Sequence, residues 1–85
     1  MKKYKLTDKT ITFCGETLYR IEALKDFPNV KKGDKGGFVQ SEANLSHHGR
    51  CWVYDGAKVF EKAFVCENAI VCGCAIVCGD AVVRD

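Results

Sequence analysis

Four of the chain's six cysteines lie close together, between residues 66 and 78. Clustered thiols are what a structural zinc site needs, because Zn²⁺ takes four Cys or His ligands, with Zn–S distances of about 2.3 Å. Cys66, Cys72, Cys74 and Cys78 follow the spacing C-x5-C-x-C-x3-C, which lacks the paired C-x2-C of common thiolate sites. The sequence therefore predicts no metal or other cofactor, and it assigns the cysteines to small apolar packing positions. The alternatives are redox-sensitive thiols, inter-chain disulfides and a metal site formed by copies of one cysteine around a three-fold axis.

The histidines are a second candidate for chemistry. His47 and His48 are the only two in the chain, and they lie in the predicted loop Leu45-Ser46-His47-His48-Gly49. A histidine can act as a general base near neutral pH, but an adjacent pair in a polar loop is more often a surface feature. The sequence therefore assigns no catalytic residue, with His47 and His48 as the alternative.

Positive charge is concentrated in the first part of the chain. Residues 1–36 carry nine Lys or Arg against five Asp or Glu, whereas residues 37–85 carry four against six. The net charge of +2 is too small to indicate a nucleic-acid partner. A solvated lysine-rich surface is one interpretation; the other is an anion site for a nucleotide, formed by Lys31, Lys32, Lys35 and Arg50.

The elements that position these residues follow from a repeat. Residues 50–85 divide into the hexapeptides RCWVYD, GAKVFE, KAFVCE, NAIVCG, CAIVCG and DAVVRD. The fourth column is valine in all six rows, and the second is alanine in all but the first, where Cys51 takes its place. Residues two apart share one face of a strand, so both columns face inward and Cys51 is expected to be buried. Turn-type residues follow in most rows, which predicts a short strand and a corner in every hexad.

This pattern resembles the hexapeptide-repeat family, in which an aliphatic residue is followed four positions later by a small one. Val53 and Ala57 obey that spacing, as do Val77 and Ala81. The resemblance implies that three hexads make one triangular coil and that the helix is left-handed. The expected fold is all-β, a short left-handed parallel β-helix of about two to three coils. Residues 38–49 are expected to begin an earlier, irregular coil, with Val39 and Leu45 in the phase of the alanine column.

The N-terminal part is predicted to cap this helix, because the end of a repeat stack exposes unpaired backbone and apolar core. We divide the chain into a β-hairpin cap at 1–36 and a repeat segment at 37–85, in one structural domain, with the C-terminal coil uncapped. Within the cap, the pattern predicts three short strands at 4–6, 10–13 and 17–21. It also predicts a hairpin turn at 14–16, an irregular segment at 23–30 and a turn cluster at 32–37.

The side chains that flank each valine point outward, and most of them are apolar rather than polar. Stacking of the hexads sends Cys66, Cys72 and Cys78 to three sides of one coil, so they cannot share an ion within one monomer. A contiguous apolar surface on a small protein usually marks an interface. We therefore expect a homodimer or homotrimer, or cover by the N-terminal segment, or both. The predicted interface residues are Trp52, Tyr54, Phe60, Phe64, Ile70, Cys72, Ile76, Cys78 and Val82.

A closer resemblance covers most of the chain and includes Leu18-Tyr19-Arg20-Ile21, Gly36-Gly37-Phe38-Val39 and Cys51-Trp52-Val53-Tyr54-Asp55. These stretches, followed by Ala-x-Val rows, resemble small bacterial and phage hexapeptide-repeat proteins, also called polymer-forming, of unknown function. The resemblance implies a phage or mobile-element accessory protein. We expect a non-catalytic binding and assembly protein that docks on a protein partner, for example as an inhibitor of a host protein. The alternatives are an acyltransferase-like enzyme and a nucleotide-binding protein, each acting at a subunit interface.

The start of the chain and its apolar runs bear on location. Met1-Lys2-Lys3 is followed by alternating polar and apolar residues rather than by the apolar core of a signal peptide. The longest apolar stretch, 69–79, is shorter than the roughly 20 residues that span a bilayer. We therefore expect a cytoplasmic protein without a membrane partner and with reduced cysteines.

Overall fold

The computed structural model describes residues 2–28 and 30–84; Met1 and Asn29 of the predicted cap and Asp85 of the predicted repeat lie outside the described residues. Within those ranges the regular structure is β-strand, apart from one turn of 3₁₀ helix at Glu42–Asn44. The all-β prediction is confirmed at that level. No helix in the described ranges has the length and hydrophobicity that a membrane crossing requires.

The cap contains a β-hairpin. Strand β1 (Tyr4–Phe13) pairs antiparallel with β2 (Glu16–Ala23), and the turn lies at Cys14 and Gly15, both with positive φ. The predicted turn is confirmed. The two strands predicted on its N-terminal side form one strand, because the pairing register shifts between Leu6 and Thr10 without ending the ladder.

Strand β3 (Lys35–Val39) joins the hairpin to the repeat: it pairs antiparallel with β2 and parallel with the hexad strand that contains Lys58 and Val59. The prediction of a turn cluster through Gly37 was therefore wrong beyond Asp34. The two glycines permit close packing rather than a turn. A Cβ on Gly36 would lie 2.5 Å from the Val53 carbonyl oxygen, so no larger residue fits against the coil there.

Each hexad contributes one two-residue strand, and the strands pair in parallel with the strand three hexads later. Trp52 pairs with Ile70, Lys58 with Ile76 and Phe64 with Val82, and this constant shift of three hexads gives one pair on each of three sides. The predicted stacking of three hexads per coil is thus confirmed. The strands are β4 (Trp52–Val53), β5 (Lys58–Val59), β6 (Phe64–Val65), β7 (Ile70–Val71), β8 (Ile76–Val77) and β9 (Val82–Val83).

An earlier, irregular turn of chain precedes these coils, but its phase differs from the prediction. Val39 pairs with Val59 and Leu45 bridges to Val65. Both side chains therefore belong to the valine column, not the alanine column. The separation in sequence between these paired residues is longer than three hexads. The prediction was wrong because counting back in sixes from Cys51 assumes an unbroken repeat. Two extra residues lie between Leu45 and Val53, within the loop 46–50, which we call the insertion loop.

The core follows the inward columns of the first coil and thins toward the second. The valines from Val53 to Val71 and the alanines from Ala57 to Ala69 are buried, whereas Val77 and Val83 are only partly buried and Ala75 and Ala81 are exposed. A smaller cluster of Leu18, Phe38 and Phe60 joins the hairpin to the coil. The second coil is therefore the part of the repeat with the most apolar surface in contact with solvent.

Candidate functional site

The cap covers part of the predicted interface. Trp52 and Phe60 were predicted to face outward, yet they are only 1% and 3% exposed. The rings of Tyr4 and Phe27 pack edge-on against Trp52, with centroids 6.4 and 5.4 Å away, and Phe13 packs against Phe60 at 5.7 Å. These two residues are therefore core positions within the chain, and the cap covers the first coil on two of its three sides.

The second coil keeps its outward side chains exposed. Ile70, Ile76 and Val82 are 48%, 49% and 58% exposed, and Cys72 and Cys78 are also exposed. We call these five residues the second-coil surface. Of the remaining predicted interface residues, Tyr54 and Phe64 are half-buried.

The backbones of the two coils are joined by hydrogen bonds. In the first coil, the Lys58, Phe60 and Phe64 amides donate to carbonyls of the second coil at 2.9–3.0 Å. The second coil is thereby fixed to the first, with its outward side chains on the surface.

The insertion loop contains His47, which is bound within the chain. The Lys3 backbone N–H donates to His47 Nδ1 at 3.1 Å, and His47 Nε2 lies 3.0 Å from Glu42 Oε1. Because a backbone amide can only donate, Nδ1 is the acceptor and Nε2–H donates to the carboxylate. Both ring nitrogens are used, so neither is directed at a substrate. His48 is exposed on the same loop.

Glu42 and Tyr4 surround this histidine. The Lys2 ammonium, 3.0 Å away, and His47 both lower the pKa of the Glu42 carboxyl. Burial raises the pKa of Tyr4, so its hydroxyl stays a neutral donor to the carbonyl oxygens of Glu42 and Leu45. The first residues of β1 are thereby fixed to the insertion loop.

A buried amine lies beside a buried thiol under the same loop, and sequence reasoning did not predict this pair. Lys3 Nζ donates to the Cys51 carbonyl oxygen at 2.6 Å and lies 3.4 Å from the Gly49 carbonyl and 3.3 Å from Cys51 Sγ. Lys3 and Cys51 have no exposed surface. Burial lowers the pKa of the Lys3 ammonium, and Cys51 offsets part of that shift. The only signal in the sequence was a cysteine in the alanine column.

The other cysteines are dispersed over the surface. Cys14, Cys72, Cys74 and Cys78 are exposed thiols and Cys66 is half-buried. In the described ranges, no three His, Cys, Asp or Glu side chains converge as metal ligands do.

The residues of the predicted anion site are exposed, and carboxylates bind two of their backbone amides and one of their side chains. The Lys31 backbone N–H donates to Asp34 and the Lys32 N–H to Asp26, at 3.0 and 2.7 Å. Lys35 forms an ion pair with Glu22 at 3.2 Å, and Arg50 lies in the insertion loop. An anion added beside these lysines would lie among carboxylates, which disfavours its binding.

Comparison with known proteins adds one distant relative. No family model matches the chain. Over 63 residues the chain is 33% identical to the uncharacterized acetyltransferase YdcK of Escherichia coli strain K12, an alignment that covers 65% of this chain and 19% of that protein. The chain thus spans about a fifth of the length of the relative, and the similarity supports a distant relation of the hexapeptide-repeat kind.

Proposed function

We propose that the chain is a non-catalytic assembly protein that binds a second copy of itself through the second-coil surface. The observation that carries the proposal is the exposure of Ile70, Ile76 and Val82, which the cap does not cover. Apolar surface of this kind is what stable interfaces bury.

The charge pattern favours a second copy as the partner. Residues 68–79 contain no Lys, Arg, Asp or Glu, whereas the hexads of the first coil carry Lys58, Glu61 and Lys62. Charged side chains, lysine above all, are what edge strands use to prevent pairing with other chains. The part of the second-coil surface formed by Ile70, Cys72, Ile76 and Cys78 is therefore uncharged and self-complementary, which suits the symmetric contact of a homodimer. The proposal extends to a homotrimer that uses the same surface. It also extends to a further protein partner, such as a host protein, that binds there.

We also infer that the repeat segment is a short left-handed parallel β-helix. The constant shift of three hexads, the three parallel pairs and the buried valine column support this fold.

Sedimentation of the full chain at micromolar concentration, in reducing buffer, tests the assembly. We expect a dimer or trimer, and we expect Ile76→Lys to raise its dissociation constant at least tenfold, because it adds charge to the buried surface. Thr12→Lys places the same charge on the exposed hairpin and is the matched control. A parent chain that sediments as a stable monomer contradicts the proposal.

An acyltransferase-like activity is the second candidate, and the similarity to YdcK favours it. The use of both His47 nitrogens within the chain argues against that residue as the base, which leaves the exposed His48. Release of free coenzyme A from acetyl-coenzyme A tests this activity. Turnover that His48→Ala abolishes would establish the enzyme, and a nucleotide or acyl-coenzyme A that raises the melting temperature would indicate a ligand site.

A further inference from the structure

The pair formed by Lys3 and Cys51 is unused by the proposed assembly surface. The Lys3 amine lies 3.3 Å from the Cys51 sulfur, and the two residues are 48 positions apart in the chain. The carbonyl oxygens of Cys51 and Gly49 hold the amine in place, at 2.6 and 3.4 Å. The sulfur in turn faces the carbonyl oxygens of Ser46 and His48, at 3.4 and 3.6 Å.

We propose that this pair is an oxidative cross-linking site, at which hydrogen peroxide converts the Cys51 thiol into a species that the Lys3 amine captures covalently. The link joins the first residues of the cap to the start of the repeat.

The reaction proceeds in two balanced steps. In the first, the thiol and hydrogen peroxide give sulfenic acid and water, so that sulfur loses two electrons and peroxide gains them. In the second, the lone pair of neutral Lys3 Nζ attacks sulfur, an N–S bond forms and the S–O bond breaks. The departing oxygen leaves as water with the proton that nitrogen loses. The product is a sulfenamide, which a thiol reductant converts back to amine and thiol.

The surroundings of the Cys51 sulfur favour capture by the Lys3 amine over other reactions of the sulfenic acid. A sulfenic acid condenses with a thiol or with a nitrogen nucleophile when one is near. The hydrogen-bond contacts of Cys51 Sγ in the described chain are two carbonyl oxygens and the Lys3 amine, and of these only the amine is a nucleophile toward sulfur. Burial, which lowers the pKa of Lys3, increases the share of the neutral amine that the second step needs.

Access to the buried sulfur is through the insertion loop. His48, Gly49 and Arg50, which immediately precede Cys51 in the chain, are exposed. Local opening of a short surface segment is cheaper than global unfolding and admits a small oxidant. We therefore expect Cys51 to react more slowly than the exposed Cys14 or Cys74.

The test isolates Cys51 in the full chain by replacing the other five cysteines with serine. After exposure to hydrogen peroxide, the intact mass should fall by the mass of two hydrogen atoms, and a protease digest should yield a peptide that joins Lys3 to Cys51. Dithiothreitol should restore the original mass. The melting temperature of the oxidised protein should rise, because the link holds the cap on the repeat.

Two controls separate cross-linking from simple oxidation. Lys3→Arg keeps the positive charge but removes the amine, since guanidinium stays protonated, and it should give sulfinic or sulfenic acid without a link. The same peroxide treatment in guanidinium chloride should also give no link, because unfolding separates the two residues. If Lys3→Arg does not fold, the peptide map of the parent and the control in guanidinium chloride still distinguish cross-linking from simple oxidation.

The proposal is overturned if Cys51 becomes sulfinic acid while Lys3 stays free in the folded protein. It is also overturned if Cys51 of the folded protein remains a thiol after prolonged exposure to the peroxide concentration that oxidises it completely in guanidinium chloride. A linked peptide that retains one oxygen between nitrogen and sulfur supports the site and changes only the second step.

Discussion

The ring of Tyr4 stacks on His47, with centroids 4.1 Å apart and planes inclined by 14°. This contact joins the first strand of the cap to the insertion loop, two segments that are distant in sequence. The Lys3 backbone N–H, which donates to His47 Nδ1, lies directly beside it. The cap is therefore fixed over Trp52 by specific contacts as well as by apolar packing.

Replacement of His47 by alanine should destabilise the protein. The change removes the stacked ring and leaves the Lys3 amide without its acceptor, and we expect a loss of about 1–3 kcal/mol in the free energy of unfolding. His48→Ala is the matched control, because that neighbouring side chain is exposed. Urea denaturation of both variants measures the difference, and equal stabilities would contradict the anchoring role of His47.

Stability should decline in acid partly through Glu42. The Lys2 ammonium and His47 lower the pKa of this carboxyl in the folded protein. Its contribution is therefore complete above the ordinary carboxyl pKa and is lost as the pH falls through the lowered value, below about pH 4. We expect Glu42→Gln to be less stable than the parent at neutral pH and to converge with it in acid.

Unfolding free energies measured across that range, with the exposed Glu67→Gln as control, test the assignment. A gap between parent and Glu42→Gln that persists unchanged in strong acid would show that the carboxylate charge has no role.

Asn44→Ala should be one of the most harmful single changes. This buried side chain accepts hydrogen bonds from the amides of Gln40 and Ser41 and donates to the carbonyl oxygens of Glu61 and Ala63, all within 3.1 Å. Its loss leaves four backbone groups without that partner, so we expect a cost of about 3 kcal/mol. Thermal or urea unfolding measures this cost. Asn68→Ala, at an exposed corner between strands, is the control. A cost below that of the control would rule out the bridging role.

Gly37→Ala should destabilise the protein through a steric clash. An added Cβ would lie 2.5 Å from the carbonyl oxygens of both Tyr54 and Ala57, so β3 would have to move away from the coil. We expect a loss of about 2 kcal/mol or more. Gly73→Ala has open space around its Cβ and carries only the penalty of its positive φ, about 1–2 kcal/mol. Circular dichroism melts should rank Gly37→Ala as the less stable protein, and the reverse order would contradict the close approach.

Prediction from the sequence succeeded where the signal was periodic. The valine and alanine columns predicted the inward positions of the first coil and the burial of Cys51, because a strand of alternating residues fixes which side chains share a face. The stacking of every third hexad was what the resemblance to the hexapeptide-repeat family implied. The hairpin turn at Cys14 and Gly15 was also predictable, since local turn chemistry decides it.

The failures concern contacts between segments distant in sequence. Val39 and Leu45 were placed in the wrong column because the insertion loop carries two extra residues. The sequence predicts a turn at Gly36 and Gly37, although their role is close packing against the coil. Trp52 was placed on an outer surface because nothing local shows that Phe27 covers it.

The sequence by itself determined an all-β chain built from hexads, because each hexad repeats the same local pattern of strand and corner. Only the tertiary structure decided which outward side chains the cap covers and which remain on the second-coil surface. It alone also brought Lys3 to Cys51. The physical reason is that packing between the cap and the repeat depends on shape and hydrogen bonds between distant segments, and no periodic pattern in the chain encodes those contacts.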